Sequence, residues 1–193
     1  MRSDSMANKT TVALSIEQFQ EIISVMRSGG SGFRANDRIA TALVLEGNMG
    51  MRIEDILKLR LSDIIRDGSR YRLDIVEQKT KKKRTFTVPL PIYQYLQLYC
   101  MENNIPADAV IFPITERAVQ KHLQKVVDYL GYGDSIGTHS FRKFFATEIY
   151  KNNNYDIVLV QKLLQHSSVA TTQRYINVEA VVEAALQNHV NLL

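Results

Sequence analysis

The sequence predicts an α+β domain, mostly helical, with one small antiparallel β-sheet (a hairpin) inserted after the third helix. Three observations predict it. Apolar residues recur at helical spacing through most of the chain, as in Ile16, Phe19, Ile22, Ile23 and Met26. Between residues 71 and 88 the period drops to two, in two runs joined by a Lys-rich turn. A length of 193 residues with 45% hydrophobic content suits one domain with a real core.

The elements follow in order. Ser15 can cap a helix over residues 16–26, with Gln18 completing a capping box and Leu14 and Phe19 at staple spacing. A second helix spans 36–46 and stops at Gly47 and Asn48; a third, short and amphipathic, covers 53–59. Residues 71–77 alternate apolar and polar side chains, and 84–88 are rich in Thr and Val, which makes the hairpin. Pro91 can open a helix over 92–101. Helical patterns return over 116–130, 139–150, 157–164, 171–175 and 179–189. Residues 1–12 read as an N-terminal tail and 13–193 as the domain.

Composition narrows the class. One cysteine, Cys100, forbids an internal disulfide and fits a reducing, cytoplasmic setting. The sequence has no run of about 18 apolar residues, so no membrane span is expected. A net charge of +4 and a pI near 9.1 are compatible with a nucleic-acid partner without demanding one. Neither an acidic cluster nor a Cys/His cluster spaced for a metal occurs, so no metal and no cofactor are expected.

Four local patterns can carry chemistry. In Thr138-His139-Ser140-Phe141-Arg142, Thr138 can cap a helix whose first turn presents His139 and Arg142 on one face. A helix N-terminus favours anions, a guanidinium grips two phosphate oxygens, and an imidazole moves a proton near neutral pH. In Gly50-Met51-Arg52-Ile53-Glu54-Asp55, the glycine permits a sharp turn before Arg52. Asp55, three residues on, can hold that guanidinium. Lys79, Lys81, Lys82, Lys83 and Arg84 crowd the hairpin turn, where a lysine can donate a proton to a leaving oxygen. Finally, Tyr175 follows Arg174 in a polar stretch behind His166. Phenol is a weak nucleophile at a pKa of about 10 and needs neighbouring cations. Each pattern alone has a plainer reading: a surface His and Arg, a surface ion pair, a solvated hairpin tip, an amphipathic tyrosine.

Together they resemble the tyrosine recombinase and integrase family, along nearly the whole chain. The family's order is arginine with an acidic residue three later, a hairpin lysine, H-x-x-R, a His or Trp, then the tyrosine. Arg52 and Asp55, Lys79, His139 and Arg142, His166 and Tyr175 fill it. Residues 164–175 are similar to the family's L-x-H-x-S-x-x-T-T-x-x-Y signature. Two departures are small: Asp55 stands where glutamate is common, and Met49-Gly50-Met51-Arg52 replaces Thr-Gly-Leu-Arg.

The resemblance implies that fold and a catalytic set of Arg52, Lys79, His139, Arg142, His166 and Tyr175, with Asp55 in support. It implies attack by Tyr175 on a scissile phosphodiester, leaving a 3′-phosphotyrosyl link and a free 5′-hydroxyl. Lys79 would protonate the leaving oxygen, with Lys81, Lys82 and Lys83 as rivals on the same turn. Lys81, Lys82, Lys83, Arg84, Lys143 and Arg174 are the expected DNA contacts. The partner is double-stranded DNA, with self-association on it as a tetrameric synapse, in a phage, mobile-element or bacterial setting. The helical pattern begins near residue 15, so the family's N-terminal DNA-clamping domain is expected to be absent. Type IB topoisomerase-like relaxation and a non-catalytic DNA-binding module remain the alternatives.

Overall fold

The computed structural model describes residues 11–78, 81, 83–133 and 135–176. Among the described residues are eight α-helices and one three-stranded sheet. Helix α1 (Ile16–Ser28) opens with the expected box. Ser15 Oγ accepts from the Gln18 N–H at 3.1 Å, and Gln18 Oε1 accepts from the Ser15 N–H at 3.0 Å. Helix α2 (Asp37–Met49) starts at Asn36, whose Oδ1 accepts from the Ile39 N–H at 3.1 Å.

This helix runs through Gly47, where the sequence predicted its end. The glycine instead admits a close neighbour, since a Cβ there would lie 2.5 Å from Cε2 of Phe19. The stop comes at Gly50, with φ 60° in the left-handed region, where a Cβ would meet the Phe145 ring at 2.3 Å. Helix α3 (Ile53–Ile56) is shorter than the predicted span and leads into a 3₁₀ turn at Leu61–Asp63.

The sheet is antiparallel, β1 (Ile64–Asp67), β2 (Arg70–Val76) and β3 (Lys83–Val88), in that order. β1 was not foreseen as a separate strand; four residues, of which only Ile64 is buried, are too few to show a period. Its register is fixed by pairs such as Ile64 with Leu73. In β3, Arg84, Phe86 and Val88 alternate onto the buried face.

Helices α4 (Leu90–Glu102), α5 (Glu116–Leu130), α6 (Thr138–Asn152), α7 (Ile157–Leu164) and α8 (Val169–Gln173) follow. α5 and α7 match the predicted limits. α8 begins earlier than predicted because Ser168 Oγ accepts from the Thr171 N–H at 3.2 Å and caps it there. The pattern over 179–189, like Lys79 and Lys82, lies outside the described residues.

Two apolar clusters set the site. In the larger, Phe19 of α1 stacks on Phe144 of α6 at 4.8 Å between centroids and meets Phe141 edge-on at 5.6 Å. The smaller joins Ala146 of α6 to Val160 and Leu164 of α7, with Phe145, Ile149, Tyr150 and Tyr175 packed around them. That second cluster seats the tyrosine against the helix that carries His139 and Arg142. No helix among the described residues is long and apolar enough to cross a membrane.

Candidate active site

Arg142 is the structural centre of the site. Its position, four residues past the α6 N-terminus, turns the side chain inward, and it is fully buried. One amino group donates to the Gly50 carbonyl and the other to the Leu164 carbonyl at 3.1 Å. One guanidinium thus holds both the left-handed turn before Arg52 and the end of α7 before His166. Burial pushes its pKa down from the ordinary range, with Arg52 adding to the effect and Tyr175, Glu77 and Glu46 opposing it. The sequence predicted Thr138 as the cap of α6. Gly137 takes that place, and its N–H donates to Ser140 Oγ at 3.1 Å. Thr138 is buried and His139 exposed in the first turn.

Arg52, just before α3, is held by Glu77 rather than by the predicted Asp55. The Glu77 carboxylate pairs with Arg52 and, at 3.1 Å, with Arg84. Asp55 points to the hairpin instead, where its Oδ1 accepts from the Gln78 N–H at 2.9 Å. Burial raises the Asp55 pKa. A three-residue step along a four-residue helix directs Asp55 to the strand end, while Glu77 comes up beneath Arg52. Glu77 was missed by sequence reasoning. The signal was parity: Glu77 continues the inward set of Leu73 and Ile75 on β2, an unusual place for a carboxylate.

Two residues predicted as DNA contacts are placed otherwise. Arg84 is 6% exposed, bonded to Glu77 and to the Leu163 carbonyl, with its guanidinium 3.8 Å from the Phe86 ring centroid. Burial, with Arg142 adding, lowers its pKa to about 10. Lys143 is 8% exposed, and its ammonium donates to the Thr11 carbonyl. Burial pushes that ammonium's pKa down. Neither offers a solvent-facing cation, because each replaces lost hydration with internal acceptors. Lys81, Lys83 and Arg174 are exposed. Lys81 sits at φ 56°, its N–H donating to the Glu77 carbonyl at 2.9 Å.

The His166 ring rests on Tyr175, 4.5 Å between centroids at 53°. α7 ends with Gln165 in the left-handed region, which turns the chain so that His166 faces the site. His166 Nδ1 lies 3.1 Å from Thr172 Oγ1. Burial first, then Arg142, Arg52 and Arg84, lowers its pKa to about 4, so the ring is neutral at physiological pH. The Tyr175 ring also lies 6.0 Å from the Arg142 guanidinium carbon and 5.9 Å from the Lys143 ammonium. Thus Arg52, Arg142, His166 and Tyr175, scattered over more than 120 residues of sequence, share one electropositive cluster. Among the described residues no group of three His, Cys, Asp or Glu side chains is placed to hold a metal ion.

Comparison with known proteins shows which family the chain belongs to. The chain is 28% identical over 172 residues to the probable integrase/recombinase YoeC of Bacillus subtilis, covering 86% of this chain and 88% of that one. To tyrosine recombinase XerC of Bradyrhizobium diazoefficiens it is 29% identical over 151 residues, covering 74% of this chain and 46% of the relative. The chain therefore spans about half the length of that relative. In fold it is similar to the XerH site-specific recombinase in a post-cleavage complex with difH substrate, with a TM-score of 0.71 and 21% identity. That match covers 93% of this chain and 53% of the other. A lambda integrase dimer bound to a COC′ core site matches with a TM-score of 0.64 at 19% identity, covering 86% and 48%. The phage integrase family model matches residues 13–181, and the chain belongs to that family.

Proposed function

We propose that this chain is the catalytic domain of a site-specific recombinase that cuts and rejoins double-stranded DNA through a 3′-phosphotyrosyl link on Tyr175. The observation that carries the reading is the seat of Tyr175, against the His166 ring and within 6.0 Å of Arg142. Guanidinium groups beside the phenol place positive charge where attack on phosphorus builds up negative charge.

In this mechanism the phenol oxygen bonds to phosphorus as the bond to the 5′-oxygen breaks. The phosphodiester energy is kept in the tyrosyl link, so an incoming 5′-hydroxyl can reverse the step. Arg52 offsets charge on the non-bridging oxygens of the pentacoordinate transition state. Arg142, fully buried with its two amino groups bound to the Gly50 and Leu164 carbonyls, supplies positive potential from behind. Neutral His166 donates a hydrogen bond to phosphate, and His139 exchanges the phenol proton. Lys79 gives its proton to the leaving 5′-oxygen, and Asp55 supports the hairpin that carries it. Lys81, Lys83 and Arg174 meet the DNA backbone, as does Lys82. The cationic side chains do the work a metal does elsewhere, so the reaction is metal-independent. Self-association on DNA brings strands together for exchange.

The test is covalent capture. Duplexes drawn from DNA flanking the gene, each nicked beside the scissile phosphate so that the cut fragment diffuses away, are incubated with the protein and chelator. A protein–DNA adduct surviving denaturation is expected from the wild type and not from Tyr175→Phe. Equal capture by Tyr175→Phe refutes the assignment. Relaxation of a supercoiled plasmid lacking any such site, without strand exchange, would favour topoisomerase chemistry instead.

A further inference from the structure

We infer that Glu77 is a positioning residue for this reaction, a buried carboxylate that fixes Arg52 from beneath before DNA arrives. The inference rests on the recombinase reading for its consequence but on its own geometry for the contact. The Glu77 side chain is 1% exposed and that of Arg52 12%, so the solvent side of the pair belongs to the guanidinium. The carboxylate lies behind it, where it steers the fork without occupying the place of an incoming phosphate.

Glu77 is itself held on several sides. Its carboxylate pairs with Arg84 at 3.1 Å, and the buried Arg84 is anchored to the Leu163 carbonyl three residues before His166. Its own carbonyl accepts from the Lys81 N–H at 2.9 Å. The next residue, Gln78, donates its N–H to Asp55 at 2.9 Å. Asp55 therefore acts on Arg52 through the hairpin: it pins the strand end, and the strand end carries the carboxylate that holds the arginine. One carboxylate shared by two guanidinium groups leaves the cluster net positive, so Glu77 orders Arg52 without cancelling the charge that phosphate needs. An arginine held in its working rotamer spends less conformational entropy on the transition state.

The experiment is a double-mutant cycle on single-turnover cleavage, with DNA affinity and thermal melting measured for each variant. Glu77→Gln should slow cleavage by about 10- to 100-fold while weakening DNA binding by less than about threefold. In an Arg52→Ala background the same change should cost less than about twofold, because the group it acts through is gone. Unimpaired cleavage by Glu77→Gln, or an equal loss in both backgrounds, overturns the inference. Glu77→Gln strands the buried Arg84 charge and can fail to fold for that reason. In that event the comparison is made between Arg84→Met and Arg84→Met with Glu77→Gln, where the buried Arg84 charge is gone, and the same outcomes apply. A DNA-free readout separates this claim from the recombinase reading. The Arg52 Nε–H signal in ¹⁵N NMR should show greater side-chain mobility after Glu77→Gln, and unchanged mobility overturns the inference. A wild-type protein that forms no adduct refutes the recombinase reading instead.

Discussion

Arg142 donates to the Leu164 carbonyl at 3.1 Å across 22 residues of sequence, while its other amino group reaches back to Gly50. The H-x-x-R helix is thereby tied to both neighbours in the site, the turn that presents Arg52 and the turn that presents His166. A buried lysine carries one ammonium and no fork, so it cannot serve both carbonyls. Arg142→Lys is expected to lower stability by about 2 kcal/mol, the usual cost of an orphaned buried acceptor, and to slow cleavage as well. Urea denaturation measures the first effect; a midpoint equal to the wild type would show that the two carbonyls do not depend on the arginine.

His166 is expected to stay neutral through the physiological range. Burial and three guanidinium groups lower its pKa from 6.5 to about 4. The folded protein therefore favours the uncharged ring, and the stability tied to it is present above pH 6.5 and lost as pH falls toward about 4. An NMR titration of the His166 ring should show no protonation between about pH 8 and pH 5.5. A midpoint near the ordinary value would mean that the arginine cluster does not surround it.

Glu46 should produce the opposite slope. It is fully buried on α2, and burial raises its pKa well above 4.5, with Arg142 pulling the other way. The folded state thus favours the neutral acid. That contribution is whole below pH 4.5 and lost as pH rises through the raised pKa. Glu46→Gln should melt higher than the wild type at about pH 8, with the gap closing toward pH 4.5. Melting curves at a series of pH values decide this, and a gap independent of pH would contradict it.

The legible part of this molecule was what local chemistry and spacing carry. α5 and α7 show strong apolar periodicity with capping residues Thr115 and Asp156 at their starts, and both were read at their true limits. The order of Arg52, His139, Arg142, His166 and Tyr175 was also visible. What sequence spacing concealed was pairing set by the tertiary fold. Arg52 and Asp55 stand three apart, yet α3 is so short that Asp55 reaches Gln78, and the partner of Arg52 is Glu77 from a strand end. Arg84 and Lys143 look like surface cations until the alternation of β3 and the inner face of α6 bury them. Gly47 resembled a helix stop, and only the Phe19 ring explains it as a contact within the helix.

The central claim is tested most directly by mapping the covalent link itself. The adduct formed on a nicked duplex would be digested and its DNA-bound peptide sequenced by mass spectrometry, which identifies the attached residue among nine tyrosines. The account predicts a single attachment, at Tyr175. A link to any other residue, or an adduct undiminished in Tyr175→Phe, would contradict it.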